Sequence, residues 1–198
     1  MSQAVFNKDK FGVNQKHLAI GEKYFIRDID TNEDLLWVER DRIGRYTHMH
    51  VYSDKSKQNK VLHLEDQATF DAFGKWTIID VTTNEHLITL KRKFLKSWFW
   101  RESWDLFSPD GVQVGRIQSR GSFLATYLRK LGPLQGWLRL QFEVLLYHQR
   151  QEVKVMEYNR KLSLRDNYVI DCTFDADKIL DRRIAVGLGL ILDTSEAR

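Results

Sequence analysis

The chain has 198 residues, of which 42% are apolar and 29% charged, with a formal charge of +4. That length suits one domain with a sizeable core, and that composition excludes a disordered or fibrous chain. The longest apolar run, Ile184 to Leu192, is nine residues, so no transmembrane helix is expected where a span takes about 20.

The first segment, "MSQAVFNKDKFGVNQ", lacks the apolar stretch of a signal peptide. An internal repeat follows at a constant offset of 52 between "FIRDIDTNEDLLWVER", from Phe25, and "TIIDVTTNEHLITLKR", from Thr77. Asp28 matches Asp80, Thr31-Asn32-Glu33 matches Thr83-Asn84-Glu85, and Arg40 matches Arg92. Each copy reads as strand, polar turn, strand. A looser copy, "WDLFSPDGVQVGRIQS", carries Asp110-Gly111, a strong hairpin turn. "SFLATYLRKLG" places Phe123, Leu124, Tyr127, Leu128 and Leu131 on one face of a short amphipathic helix, between Ser122 as N-cap and Gly132. A fourth hairpin is expected in "WLRLQFEVLLYHQRQEVKVMEYN", turning near His148–Gln151. Its first strand alternates Leu138, Leu140, Phe142 and Val144 with Arg139, Gln141 and Glu143.

Repeated hairpins with one wet face predict an antiparallel sheet that closes on itself. The C-terminal run "DRRIAVGLGLILD" would be apolar on every side as a helix, and so needs apolar neighbours on every side. The inside of a closed sheet supplies them. Gly187 and Gly189 each disfavour a helix by roughly 1 kcal/mol, but would let it fit a narrow interior. A central strand in a sandwich is the competing reading of these nine residues. The helix is expected to begin near Asp175 or Asp177, acids that suit a helix N-terminus. The single cysteine, Cys172, permits no intrachain disulfide and reads as a buried small hydrophobe. A reducing, cytoplasmic location follows as the expectation, free or at the periphery of a membrane.

The repeated strand–turn–strand units, "LITLKRKFLKSWFWRESWDLF", and "FDADKILDRR" leading into the apolar tail together resemble the tubby-like C-terminal superfamily. The branch most similar is that of the LURP-one-related proteins, with phospholipid scramblases as cousins. The resemblance runs from about Phe11 to Asp193, and its motifs are largely structural. It implies a mainly β fold: a twelve-stranded antiparallel barrel around a hydrophobic C-terminal helix.

Charge is distributed unevenly. Residues 91–139 hold ten Lys and Arg against three acids, while the remainder nets −3. A segregated positive field suits an anionic partner. Within it, "LKRKFLKSWFWR" puts Lys91 and Lys93 on one strand face and Arg92 on the other. Lys96, Trp98, Trp100 and Arg101 follow. Cations beside bulky aromatics are what a headgroup-depth membrane contact needs. The tubby resemblance implies phosphoinositide binding by closely spaced basic residues on a strand, and Lys91 and Lys93 match that spacing. The competing reading is a solvated face followed by core aromatics.

Asp175, Asp177 and Asp181 are spaced like the start of a calcium loop. The match fails at Leu180, where the loop needs Gly, and at Val186, where it needs Glu. Acids at a helix start, with an Asp181–Arg182/Arg183 charge cluster, are expected instead. His48-x-His50 could begin a metal site, with His63 further on, but no third ligand has recognisable spacing. Gly74-Lys75 lacks the earlier glycine of a phosphate loop. No catalytic motif is present, and neither cofactor nor enzymatic activity is expected. The leading expectation is a non-enzymatic module on an anionic membrane surface. A protein-interaction or structural domain is the alternative. A nucleic-acid role, for which "SFLATYLRKLG" offers only Arg129 and Lys130, comes third, ahead of lipid scrambling by a C-terminal segment whose nine apolar residues are too short to span unaided.

Overall fold

The computed structural model describes residues 2–17, 22–43, 46–67, 74–93, 103–120, 141–161 and 167–196. After a single helical turn, α1 (Ser2–Val5), come β1 (Lys10–His17), β2 (Glu22–Asp28), β3 (Asp34–Ile43) and β4 (Tyr46–Tyr52). They are followed by β5 (Lys60–Asp66), β6 (Lys75–Asp80), β7 (Glu85–Arg92) and β8 (Ser103–Phe107). The last four strands are β9 (Gln113–Ser119), β10 (Gln141–His148), β11 (Gln151–Lys161) and β12 (Asn167–Asp171), and α2 (Arg182–Glu196) ends the series. Every strand pairs antiparallel with its neighbour in sequence, and β1 pairs with β12, so the sheet is a closed barrel of twelve strands. Closure leaves no unpaired sheet edge.

Alternation sets the inside and outside of the wall. Phe11 and Val13, Tyr24 and Ile26, Leu36 and Val38, and Met49 and Val51 point inward and are buried. The repeated units prove to be equivalent hairpins. Asp28 Oδ1 accepts the N–H groups of Asp30 and Thr31, and Asp80 Oδ1 those of Thr82 and Thr83. Asn32 (φ 59°) and Asn84 (φ 55°) take the same left-handed position, which asparagine tolerates better than most residues. A β-bulge falls at Ile26/Arg27 in one hairpin and at Ile78/Ile79 in the other. The looser copy is the β8–β9 hairpin, with Gly111 at φ +80°. The fourth turns at Gln149 (φ 49°) and Arg150 (φ 66°), a two-residue turn whose twist suits a hairpin.

Strand polarity sorts the connections. Turns 29–33, 53–59, 81–84, 108–112 and 149–150 all lie at one end of the barrel, together with segment 172–181 leading into α2. This is called the hairpin end below.

α2 fills the interior, and the sandwich-strand alternative for its sequence is thereby excluded. All of Ala185 to Thr194 is buried. A Cβ on Gly187 would lie 2.6 Å from Ile78 Cδ1 on β6, and one on Gly189 would collide with Ile170 Cδ1 on β12. β6 and β12 are six strands apart in the ring, and residues two apart on a helix face nearly opposite ways. The two glycines are therefore the narrow points of the plug, one against each wall.

The start of the helix needs correction. It begins at Arg182, not near Asp175 or Asp177. Asp181 is the N-cap, accepting the N–H of Arg183 on Oδ1 at 2.8 Å while its carbonyl accepts Ala185 N–H. Asp175 instead ties down the preceding turn. The amphipathic helix expected at 122–132 lies outside the described residues.

Candidate functional site

Three groups of side chains bear on function: the basic face near β7, the acids before α2, and the histidines of β4 and β5.

Lys91 and Lys93 point outward together, as expected. Lys91 lies directly opposite Lys75 of β6 and places its ammonium 4.6 Å from the Phe107 ring centre. Lys93 pairs with Asp105 at 2.8 Å. Arg92 turns the other way, its guanidinium 5.7 Å from the Trp104 ring. Lys96, Trp98, Trp100 and Arg101, in the connection from β7 to β8, lie outside the described residues. Folding also redistributes the basic segment's field. Arg116 pairs with Glu152 and Arg120 with Glu157, each at 2.7 Å, so acids of β11 neutralise cations of β9 and its C-terminal flank.

The acids before α2 do not converge. Asp175 is buried, and its carboxylate accepts Ile179 N–H at 2.8 Å, Leu180 N–H at 2.9 Å and Arg182 Nη1 at 2.7 Å. Arg182 also donates to Asp9 Oδ1 from Nη2 at 2.6 Å. Asp181 holds Arg183, which reaches on to Asp80 at 2.6 Å. Asp177 is exposed. The carboxylates of Asp175 and Asp181 are thus occupied by guanidinium and backbone N–H groups, the arrangement expected of an acid–arginine cluster at a helix start.

The histidines are brought together. On the outer face His48 stands opposite Glu65, and His50 opposite His63. Asp41 of β3 stands opposite His48 on its other side. The rings of His48 and His63 stack at 5.5 Å, and those of His50 and His63 at 4.8 Å. His50 Nδ1 and His63 Nδ1 are 3.1 Å apart. His63 Nε2 faces Glu65 Oε2 at 3.7 Å, and His50 Nε2 faces Asp41 Oδ2 at 3.7 Å. One ligand atom from each of His48, His63 and Glu65 lies within 4.8 Å of the others. Partial burial, helped by Lys60, lowers the affinity of His50 and His63 for protons, while Asp41 and Glu65 pull the other way. Burial thus favours the neutral imidazole, the form that ligates metals.

Sequence reading missed Glu65 and Asp41. The signal was present, because "HMH" on β4 and "HLE" on β5 share the period of two that puts alternate residues on one face. What it could not supply was the register that sets one pair against the other. No family model matches the chain, and no curated protein matches it. No helix among the described residues is long and apolar enough to cross a membrane.

Proposed function

We propose that this chain is a non-enzymatic binding barrel of the tubby-like, LURP-one-related kind that associates peripherally with anionic phospholipid headgroups. The observation that carries this reading is the cross-strand pair Lys75–Lys91, two like charges set directly opposite on the outer face, with Lys93 just past the end of β7. Like charges in that position disfavour the sheet, and a polyanionic headgroup between them reverses the sign of the interaction. The surface pair Lys93–Asp105 is worth at most about 1 kcal/mol, little enough for a phosphate to displace. Lys96, Trp98, Trp100 and Arg101 continue the basic and aromatic run in the sequence. The twelve-stranded barrel with its internal helix agrees with the architecture that the family resemblance implies.

A second reading, protein interaction, is favoured by a different observation. Among the described residues, the exposed large apolar side chains Val81, Val112, Tyr147 and Phe174 all lie toward the hairpin end, on the turns of β6–β7 and β8–β9, at the end of β10 and after β12. Nucleic-acid tracking is less supported, since Glu152 and Glu157 neutralise two cations of the basic segment.

Co-sedimentation with vesicles separates these readings. The membrane reading expects binding to phosphoinositide- or phosphatidylserine-containing vesicles but not neutral ones, weakened by salt and lost when Lys75, Lys91 and Lys93 are all replaced by Ala. Equal binding to neutral vesicles, or binding untouched by the triple replacement, would discard it. Absence of vesicle binding with a stable protein partner in a pull-down would favour the second reading.

A further inference from the structure

We propose that His48, His63 and Glu65 form a site for one divalent transition-metal ion of the zinc class on the outer wall of the barrel, with His50 and Asp41 as its positioning residues. The inference stands apart from the membrane reading, because the histidines lie on β4 and β5 and the lysines on β6 and β7.

The donor set comes first. Two imidazole nitrogens and one carboxylate oxygen suit Zn2+, and three protein ligands leave a fourth position for water or an exogenous donor. Hard ions such as Ca2+ and Mg2+ want oxygen ligands in greater number. Bonds of about 2.0 Å at the tetrahedral angle set ligand atoms about 3.3 Å apart. His63 Nε2 and Glu65 Oε2 are already 3.7 Å apart. The full set lies within 4.8 Å, and small side-chain rotations close the remainder.

The surroundings point the same way. A metal-bound histidine usually donates its second ring N–H to a fixed partner, which selects the tautomer and holds the ring. His63 has such a partner at 3.1 Å in His50 Nδ1. With the shared proton on His63 Nδ1, the lone pair of His63 Nε2 points toward Glu65. His50 then carries its own proton on Nε2, facing Asp41. In that tautomer a nitrogen lone pair faces a carboxylate at 3.7 Å, and both are acceptors. A cation satisfies both. The chain Asp41–His50–His63 thus runs from carboxylate to metal ligand across β3, β4 and β5.

Backbone pairing holds the five side chains in place. β3, β4 and β5 are consecutive antiparallel strands in continuous register from His48 to Val51 on β4. An ion bound to His48 on one strand and to His63 and Glu65 on the next cross-links β4 to β5.

The test is a titration of the full-length chain, first stripped with chelator, by Zn2+ in competition with a chromophoric chelator, with Ca2+ and Mg2+ in parallel. The expected result is one Zn2+ per chain, no competition from Ca2+ or Mg2+, and a higher melting temperature in the presence of Zn2+. His48→Ala and His63→Ala abolish that stoichiometric binding. His50→Ala weakens it by about 10- to 100-fold, as loss of an outer partner does. His86→Ala leaves it unchanged, because His86 is on β7 and bonded to Thr89. Should an alanine variant fail to fold, Co2+ added to the wild-type chain gives an independent reading: the intense visible absorption of a four-coordinate ion, displaced by Zn2+. Failure of the wild-type chain to bind Zn2+, or binding undiminished by His63→Ala with the fold intact, overturns the proposal. So does Co2+ that shows only the weak spectrum of the hydrated ion.

Discussion

Cys172 illustrates how position alone decides chemistry at the scale of one residue. It is fully buried just past β12, and its N–H donates to Asp9 O at 2.7 Å. Burial pushes its thiol up to about 12, and the nearby Arg182 guanidinium pulls it back only in part. At mildly alkaline pH it is a thiol, not a thiolate. The native protein is therefore expected to react with a disulfide reagent roughly 10³-fold more slowly than the denatured chain, on thiolate fraction alone. A stopped assay with and without denaturant measures the ratio; equal rates would place the thiol at the surface. Its burial was legible in "YVIDCTF", a mostly apolar run. Phe174 in the same run is exposed, because Asp171 takes the N–H and hydroxyl of Thr173 and turns the chain away from the wall. The charge field was legible only in part for a related reason. Arg116 and Arg120 find their acids on β11, two strands across, and summing charges along the sequence does not see sideways.

At the scale of the element, one device recurs at the hairpin end: an aspartate whose carboxylate takes the N–H groups just after its strand and also holds a cation. Asp28 meets Lys8, Asp80 meets Arg183, and Asp171 meets Lys10. The bond from Lys8, then those from the backbone, holds Asp28 below the ordinary carboxylate value. Burial pushes Asp80 and Asp171 upward. It is outweighed by the Thr82 hydroxyl and Arg183 in one case, and by the Thr173 hydroxyl and N–H with Lys10 in the other. All three therefore stay ionised in the folded protein at pH values where the unfolded chain, near 3.9, takes up protons. Their contribution is complete above that value and is lost as the pH falls through the lower folded values. The share of stability that these three aspartates carry is expected to be flat between about pH 5 and 7 and to fall below about pH 4. His50 and His63, held below the ordinary histidine value by burial, add a separate loss as the pH drops through about 6.5. Asp80→Ala should cost more at about pH 7 than at about pH 3, where the wild-type carboxylate is itself losing its charge. Denaturant midpoints of both proteins at the two pH values check this; an equal cost at both would remove ionisation as the cause. The repeat revealed these turns in advance, because Asp, Thr and Asn carry their turn chemistry in their own side chains. The bulges it shares were not legible, since a bulge depends on what the partner strand does.

For the whole molecule, the fit of α2 is the controlling feature. Replacing either glycine by Ala gains about 1 kcal/mol of helix propensity, yet inserts a methyl group where none fits. Overpacking of a buried wall costs about 1–3 kcal/mol, and the close approach to Ile78 or Ile170 places both sites toward the upper end. Gly187→Ala and Gly189→Ala are each expected to destabilise the barrel. Ile78→Val should relieve the first, because it deletes the Cδ1 atom that the new methyl meets. Ile170→Ala should relieve the second, because it deletes both Cδ1 and Cγ1, which the new methyl would meet under 3.0 Å. Crossed combinations should give no relief, which a double-mutant comparison of denaturation midpoints would show. A barrel with an enclosed helix was legible from period-two strands and from a segment apolar all round. The strand number was not derivable from periodicity and entered with the family resemblance. The histidine site lay between these cases, its donors visible on separate strands and its assembly dependent on register.

The position of α2 in chain order has a consequence for biosynthesis. It follows all twelve strands, and β12, which closes the ring against β1, immediately precedes it. On the ribosome, therefore, eleven strands emerge before the ring can shut, and all twelve before the plug arrives to cover their inner face. Contacts between the two extremes of a long chain are slow to form, and apolar strands waiting for them are prone to associate with one another. Until β12 and α2 have emerged, the inward apolar faces of the earlier strands have neither a closed wall nor a plug to cover them.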